Sequence, residues 1–186
     1  MKTIFPFDAL NTFKENLHTH FNEEGHIASR KDCEDIIDEM FDLYLLALAN
    51  GVEAVNEQFE LSIELSLETV DAIINKEIEG ATWIDRVWTW YETDGTEADI
   101  VRIAETEAHR DGNTGAYEAA TLAGATQKTW VCMMLPTSRD THIYLNGTTV
   151  AMEDEFYSYS GYHAMFPGEF GVAEEDCNCL CEVAYS

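Results

Sequence analysis

Positive charge is what this chain has least of. Ten Lys and Arg stand against 36 Asp and Glu, a formal net charge of −26, and no Lys or Arg follows Arg139. Such a surface repels phosphate backbones, which argues against direct DNA binding. The simplest reading is a solvated acidic face that keeps the protein in solution; a DNA mimic would rest on net charge alone. Long apolar runs are missing as well. The longest, residues 43–49, has acidic flanks and is far too short for a membrane span. The first ten residues contain no apolar stretch suited to a secretory leader, so a soluble chain, intracellular when made, is expected. The five cysteines are an odd number, three of them in the last ten residues, which argues for reduced thiols rather than a disulfide framework. Internal repeats and low-complexity tracts are absent too.

What is present suits a folded chain. Residues that are 46% hydrophobic and 11% aromatic supply a core, and 186 residues fit one domain or a helical region leading into a smaller domain. Ser29 and the acids at 32–35 mark a helix start. Ile36, Ile37, Met40, Phe41, Tyr44, Leu45 and Leu48 recur at helical spacing up to Asn50-Gly51, read as a helix end. A second long helix is expected over 52–79, with Val55, Phe59, Ile63, Leu67, Val70, Ile74 and Ile78 on one stripe. A shorter helix over 81–91 and a turn at 93–96 follow. Next come a helix over 97–109, a turn at 111–113 and an Ala-rich helix over 114–125. The period then changes to alternation at 130–134. Residues 142–151 read as a hairpin about Asn146-Gly147, a tight-turn signal. Residues 153–176 read as loop, and 179–185 as a last strand. The expected class is α+β. Residues 1–80 would be a helical region offering a docking surface, and 81–186 helices followed by a small C-terminal sheet domain with long loops.

One linear signature lies in the last third: Lys128-x-Trp130, Arg139-x-x-His142, Leu145-Asn146-Gly147, Gly161, Phe166-Pro167-Gly168 and Asn178-Cys179-Leu180-Cys181. No periodicity demands that order. It resembles the C-terminal domain of the phage Mu F-like minor head proteins, the phage head morphogenesis family. Arg102-Ile103-Ala104-Glu105-Thr106-Glu107, with Asn113 and Gly115, resembles that family's helical box, so the likeness covers roughly residues 80–186. The chain departs from the pattern at three places. Glu105 and Leu180 stand where arginine is common, and the Arg139 motif is preceded by Leu135-Pro136 with one extra residue. Glu169 keeps the acid that follows the Pro-Gly pair. The resemblance implies a structural virion protein of the head or connector, not an enzyme. It would assemble in the host cytoplasm with portal and major capsid protein and be carried in low copy number. Domains of this family also occur fused to toxin or hydrolase modules; this chain ends five residues after Cys181, so no added catalytic domain is expected.

The residues offering chemistry have two readings each. Cys179 and Cys181, two apart, share a face if extended, and Cys177 would share it. With His142 they would make a tetrahedral zinc site, although the spacing is not that of a standard knuckle. Otherwise the thiols are buried packing against Trp130, and no cofactor is needed. Glu107 shares a helix face with Ile100 and Ile103, turns inward, and needs a partner, expected to be Arg139 or His142. A catalytic His142 beside a Cys nucleophile would need a cleft and an oxyanion donor that the sequence does not display. The expected core signature is therefore Glu107, Trp130, Arg139, His142, Gly147, Pro167, Gly168, Cys179 and Cys181, with no catalytic residue. His18, His20 and His26 are not expected to bind metal. The competing functions are a structural head protein, a zinc-stabilised adaptor, and a Cys/His-dependent enzyme or toxin-related domain.

Overall fold

The computed structural model describes residues 4–186; residues 1–3, where the stretch read as lacking a secretory leader begins, lie outside it. Helix α1 (Phe7–Leu17) and a 3-10 turn (His18–His20) lead to α2 (Arg30–Phe59). Ser29 caps α2 as its composition predicts, its hydroxyl accepting from Asp32 N at 3.2 Å. Helices α3 (Leu67–Ile74), α4 (Trp83–Glu92) and α5 (Glu97–Leu122) follow. Both α4 and α5 open with a capping box, Thr82 with Asp85 and Thr96 with Asp99. The class is α+β, as the change of period implies.

Three helix boundaries differ from the periodic reading, and each for a packing reason. Gly51 does not end a helix: α2 runs through it to Phe59. Nor is there a helix over 52–79. Glu60 takes a left-handed conformation, and the Asn56 side chain grips the backbone of Ile63, accepting from its N–H at 2.7 Å and donating to its carbonyl at 3.0 Å. The chain stays extended until α3. Residues 111–113 are not a turn but the middle of α5. Both glycine sites that looked like punctuation are where α2 and α5 touch. A Cβ on Gly51 would fall 2.0 Å from Gly112 O and 2.9 Å from Ala116 N, and one on Gly115 would fall 2.6 Å from Leu48 O.

The sheet is antiparallel with strand order β2-β1-β5, built from β1 (Gln127–Val131), β2 (Thr149–Ala151) and β5 (Glu182–Tyr185). Lys128 pairs with Val150 on one side and Tyr185 on the other, and Trp130 pairs with Val183. The expected hairpin at 142–151 is corrected: Asp140–Leu145 is a short helix, α6, and Thr149–Ala151 pairs with β1 instead. Asn146 and Gly147 still serve as connectors, Asn146 Oδ1 accepting from Cys132 N at 2.9 Å and Gly147 N–H donating to Trp130 O at 2.8 Å. Within the expected loop at 153–176 lie a two-stranded pair, β3 (Phe156–Tyr157) with β4 (His163–Ala164), and a short helix α7 (Ala173–Asp176).

Apolar side chains gather in two clusters. The first holds Leu10, Ile36, Tyr44, Ile74, Trp83 and Ile100; the second holds Trp130, Leu145, Phe156, Phe170, Cys179 and Cys181. Helices α2 and α5 run through both, Tyr44 and Ala108 in the first, Val55 and Ala119 in the second. Segments on either side of residue 80 thus share both cores. No helix among the described residues is long and apolar enough to cross a membrane.

Because a methyl group at Gly51 has no space short of separating the two helices, Gly51→Ala is expected to cost about 3 kcal/mol or more of unfolding free energy. Urea denaturation checks this; a loss under about 1 kcal/mol would mean the helices do not meet through this contact.

Candidate functional site

Helix α5 carries an unusual run of buried polar residues, Glu107, His109, Arg110, Asp111 and Asn113, none more than 2% exposed. Charged groups at such depth persist only when paired. Glu107 Oε1 accepts from Arg86 Nη2 on α4 at 2.6 Å, and Glu107 Oε2 lies 2.5 Å from Arg110 Nη1. Arg110 Nη2 also donates to Asp111 Oδ1 at 2.9 Å and to Ile73 O on α3 at 3.3 Å. Burial pushes the Asp111 carboxyl above its ordinary range, although Arg110 pulls it down. Glu107 therefore does turn inward, but its partners correct the expectation: they are Arg86 and Arg110, not Arg139 or His142. Arg86 and Arg110 carried no motif signal. Arg110 sits three residues from Glu107, a spacing that could have suggested the pair.

The next residues on α5 reach the C-terminal segment. His109 Nε2 donates to Cys181 O at 2.7 Å, and Asn113 Nδ2 donates to the same carbonyl at 3.3 Å. Burial depresses the His109 imidazole to about 4, so it is neutral at pH 7, with its proton on the nitrogen facing the carbonyl. Pro167-Gly168 closes over the same helix. Gly168 has φ +90°, and a Cβ there would meet Arg110 Cα at 3.1 Å, so glycine satisfies both the backbone and the close approach.

Beyond Cys181 lies a second polar cluster within the sheet domain. His142, on α6, places Nδ1 3.4 Å from Cys179 Sγ and 3.5 Å from Cys181 Sγ. Its other nitrogen, Nε2, lies 3.1 Å from Glu175 Oε2 on α7. Glu175 is in turn fixed by Thr141 Oγ1 at 2.9 Å and Ser160 Oγ at 2.6 Å. Trp130 packs edge-on against the His142 ring at 5.6 Å, and Phe170 stacks on it at 5.6 Å with 24° between planes. His142, Cys179 and Cys181 are all buried. The contact with Cys179 and burial hold the Cys181 thiol above its ordinary range.

The fourth candidate ligand does not join them. Cys177 is half-buried, and what it contributes is its carbonyl, which accepts from Arg139 Nη2. The structure thus brings together Trp130, His142, Cys179 and Cys181, with Arg139 one layer out and Gly147 beside Trp130. Glu107, Pro167 and Gly168 belong to the α5 cluster. Glu175, the carboxylate behind His142, is the residue sequence reading missed; it lay in a stretch read as loop. In the N-terminal region His20 lies 3.2 Å from Asp32 Oδ1, and these two with Asp35 stand close enough to share a metal ion, while His26 Nδ1 faces Asp94 O at 3.1 Å.

Lys128, from the same signature, is fully buried, with Nζ 5.0 Å from the Tyr117 ring centroid and 5.5 Å from that of Phe156.

Arg110→Met would strand the buried Asp111 and leave Glu107 with Arg86 alone, and is expected to cost about 3–5 kcal/mol in urea unfolding. Arg139→Met removes one hydrogen bond to a carbonyl and should cost about 1–2 kcal/mol. Equal losses would contradict the assignment of Glu107 to Arg110. Lys128→Met is expected to be neutral or stabilising at pH 7, since an apolar chain of similar length fills the aromatic slot. Burial pulls Lys128 down from 10.5 to about 8. Between those values the unfolded chain holds a proton that the folded chain has released. The stability of the parent relative to Lys128→Met should therefore climb as pH rises through that window, and a flat difference would exclude the shift.

No family model and no solved structure matches this chain. It is 31% identical over 147 residues to the NAD(+)–arginine ADP-ribosyltransferase EFV of Enterococcus faecalis, covering 74% of this chain and 30% of that protein. It is 33% identical over 85 residues to minor head protein GP7 of Bacillus phage SPP1, covering 44% of this chain and 28% of that protein. The chain thus spans less than a third of the length of either curated relative. The two matched stretches together exceed its length and so overlap. Over 44% of its residues this chain is related to a phage minor head protein.

Proposed function

We propose that this chain is a structural, non-enzymatic component of a tailed-phage head, of the Mu F-like kind, which assembles with portal or major capsid protein and is carried in the virion. The observation that carries this reading is the 33% identity to a phage minor head protein. The geometry supports it. The buried polar groups of α5 and the C-terminal segment are already engaged: Glu107 by Arg86 and Arg110, His109 and Asn113 by Cys181 O, Cys177 O by Arg139. Groups engaged in this way lock helices to sheet rather than await a substrate. The helical region at 1–80 would dock on the partner. Leu46 stays 43% exposed on α2, at the edge of a groove with Ala9 and Phe13 of α1.

The match to an ADP-ribosyltransferase favours a second reading, in which the chain shares that enzyme's chemistry. We take the overlapping matches instead as a module shared by a head protein and a transferase, with transfer chemistry carried in the unmatched remainder of the latter.

Co-expression with the neighbouring portal and capsid genes, followed by gradient sedimentation, is the test. The protein should travel with proheads or portal rings, and Leu46→Glu should weaken that association. A protein that stays at the top of the gradient while particles form normally contradicts the structural role. Incubation with NAD+ and an arginine-rich acceptor should give no turnover, and modification of the acceptor would decide for the transferase reading.

A further inference from the structure

We propose that His142, Cys179 and Cys181 hold a zinc ion through three protein ligands, with Glu175 fixing the imidazole from behind and a water in the fourth position. This goes beyond the assembly role and does not depend on it.

The distances carry the argument. Zinc sits about 2.3 Å from thiolate sulfur and about 2.0–2.1 Å from imidazole nitrogen, so tetrahedral geometry places ligand sulfur and nitrogen about 3.6 Å apart. The two sulfur–nitrogen distances here are 3.4 and 3.5 Å, both to the same nitrogen, and all three ligand atoms lie within 4.8 Å of one another. A lone Nδ1 can accept from only one of two thiols, whereas one cation engages both sulfurs and the nitrogen at once.

The surroundings match a metal site in three further ways. Glu175 lies behind Nε2 at 3.1 Å, the carboxylate-behind-histidine arrangement that sets tautomer and ring orientation in such sites. The carboxylate is itself held by Thr141 and Ser160, and the ring by Trp130 and Phe170. Cys181 N–H donates to Cys179 Sγ at 3.4 Å, which suits a sulfur carrying negative charge. Finally, a cavity of about 30 Å3 adjoins all three ligands, room for a single water to complete the tetrahedron. Binding releases the thiol protons, and two thiolates with a neutral imidazole leave the ion's charge balanced in a buried place. Thiolate and imidazole donors favour zinc over magnesium or calcium.

The ion would tie α6 to the segment leading into β5. That segment is also gripped by α5 through Cys181 O.

The full chain, produced in zinc-supplemented cells and purified without chelator, is expected to carry about one zinc per chain by elemental analysis. Cobalt exchanged into it should show thiolate-to-metal charge-transfer absorption and the visible bands of a tetrahedral ion. Cys177→Ser, Cys132→Ser and Cys33→Ser should each keep the metal, and Glu175→Gln should weaken it about 10- to 100-fold in competition with a chromophoric chelator. Folded parent protein with no zinc, and no cobalt charge-transfer band, would overturn the site. Loss of metal in a folded Cys177→Ser variant would overturn the three-ligand assignment.

Discussion

The close approach of α2 and α5 is the constraint on which the remaining contacts depend. Two helices usually meet through interlocking side chains, with axes about 8–10 Å apart. Here backbone meets backbone, because Gly51 faces Gly112 and Gly115 faces Leu48 O with no Cβ between them. That contact fixes the rotation of α5, and the rotation decides what its remaining faces present. One face points Glu107, Arg110 and Asp111 towards α3 and α4. Another points His109 and Asn113 at the carbonyl of Cys181. A helix turned by even one residue, about 100°, would break both sets at once. The two polar clusters and the glycine crossing are therefore consequences of a single packing decision.

The scarcity of cations looks different once the chain is folded. Of the ten Lys and Arg, Arg86 and Arg110 neutralise Glu107, and Lys128 is sealed under aromatic rings. Arg139 crosses to the Cys177 carbonyl, and Lys76 links the end of α3 to Glu169 beyond Pro167-Gly168 at 2.5 Å. Lys14 joins α1 to Glu105. Positive charge in this protein is largely a joining element between segments, and the acids are left to dominate the surface. Glu105 illustrates the trade: standing where the resembled family has an arginine, it meets a lysine from α1. Removing a single cation from the interior leaves a buried carboxylate short of a partner, whereas the surface acids are screened from one another by solvent and salt.

Seen from the two clusters, the C-terminal signature divides by physical role rather than by sequence order. Pro167 and Gly168 serve helix α5. Trp130, His142, Cys179 and Cys181 form the inner cluster of the sheet domain, and Arg139 and Asn146 brace the chain on either side of α6. Glu175, outside the signature, completes the cluster from α7. Most residues of the signature thus touch one another.

The α+β class, the cap of α2 and the apolar stripe along its first turns follow from local sequence. Ser29 declares a helix start because a side-chain oxygen satisfies the first free N–H groups wherever the helix later packs. The inward turn of Glu107 and the clustering of His142 with Cys179 and Cys181 were likewise legible, from spacing and from the linear signature. The remaining features wait on packing between distant segments. Gly51 and Gly112 carry a local preference for turns, but burying a close backbone contact outweighs the roughly 1 kcal/mol that glycine costs within a helix. The apolar stripe over 52–79 persists beyond Phe59, yet Asn56 latches the chain extended because a side-chain amide can compete with helical hydrogen bonds. The partner of Glu107 was undecidable from sequence, since any of several guanidiniums could serve and the rotation of α5 chose among them. Pairing of β2 with β1 rather than with residues 142–145 depended on contacts distant along the chain, which no local pattern records.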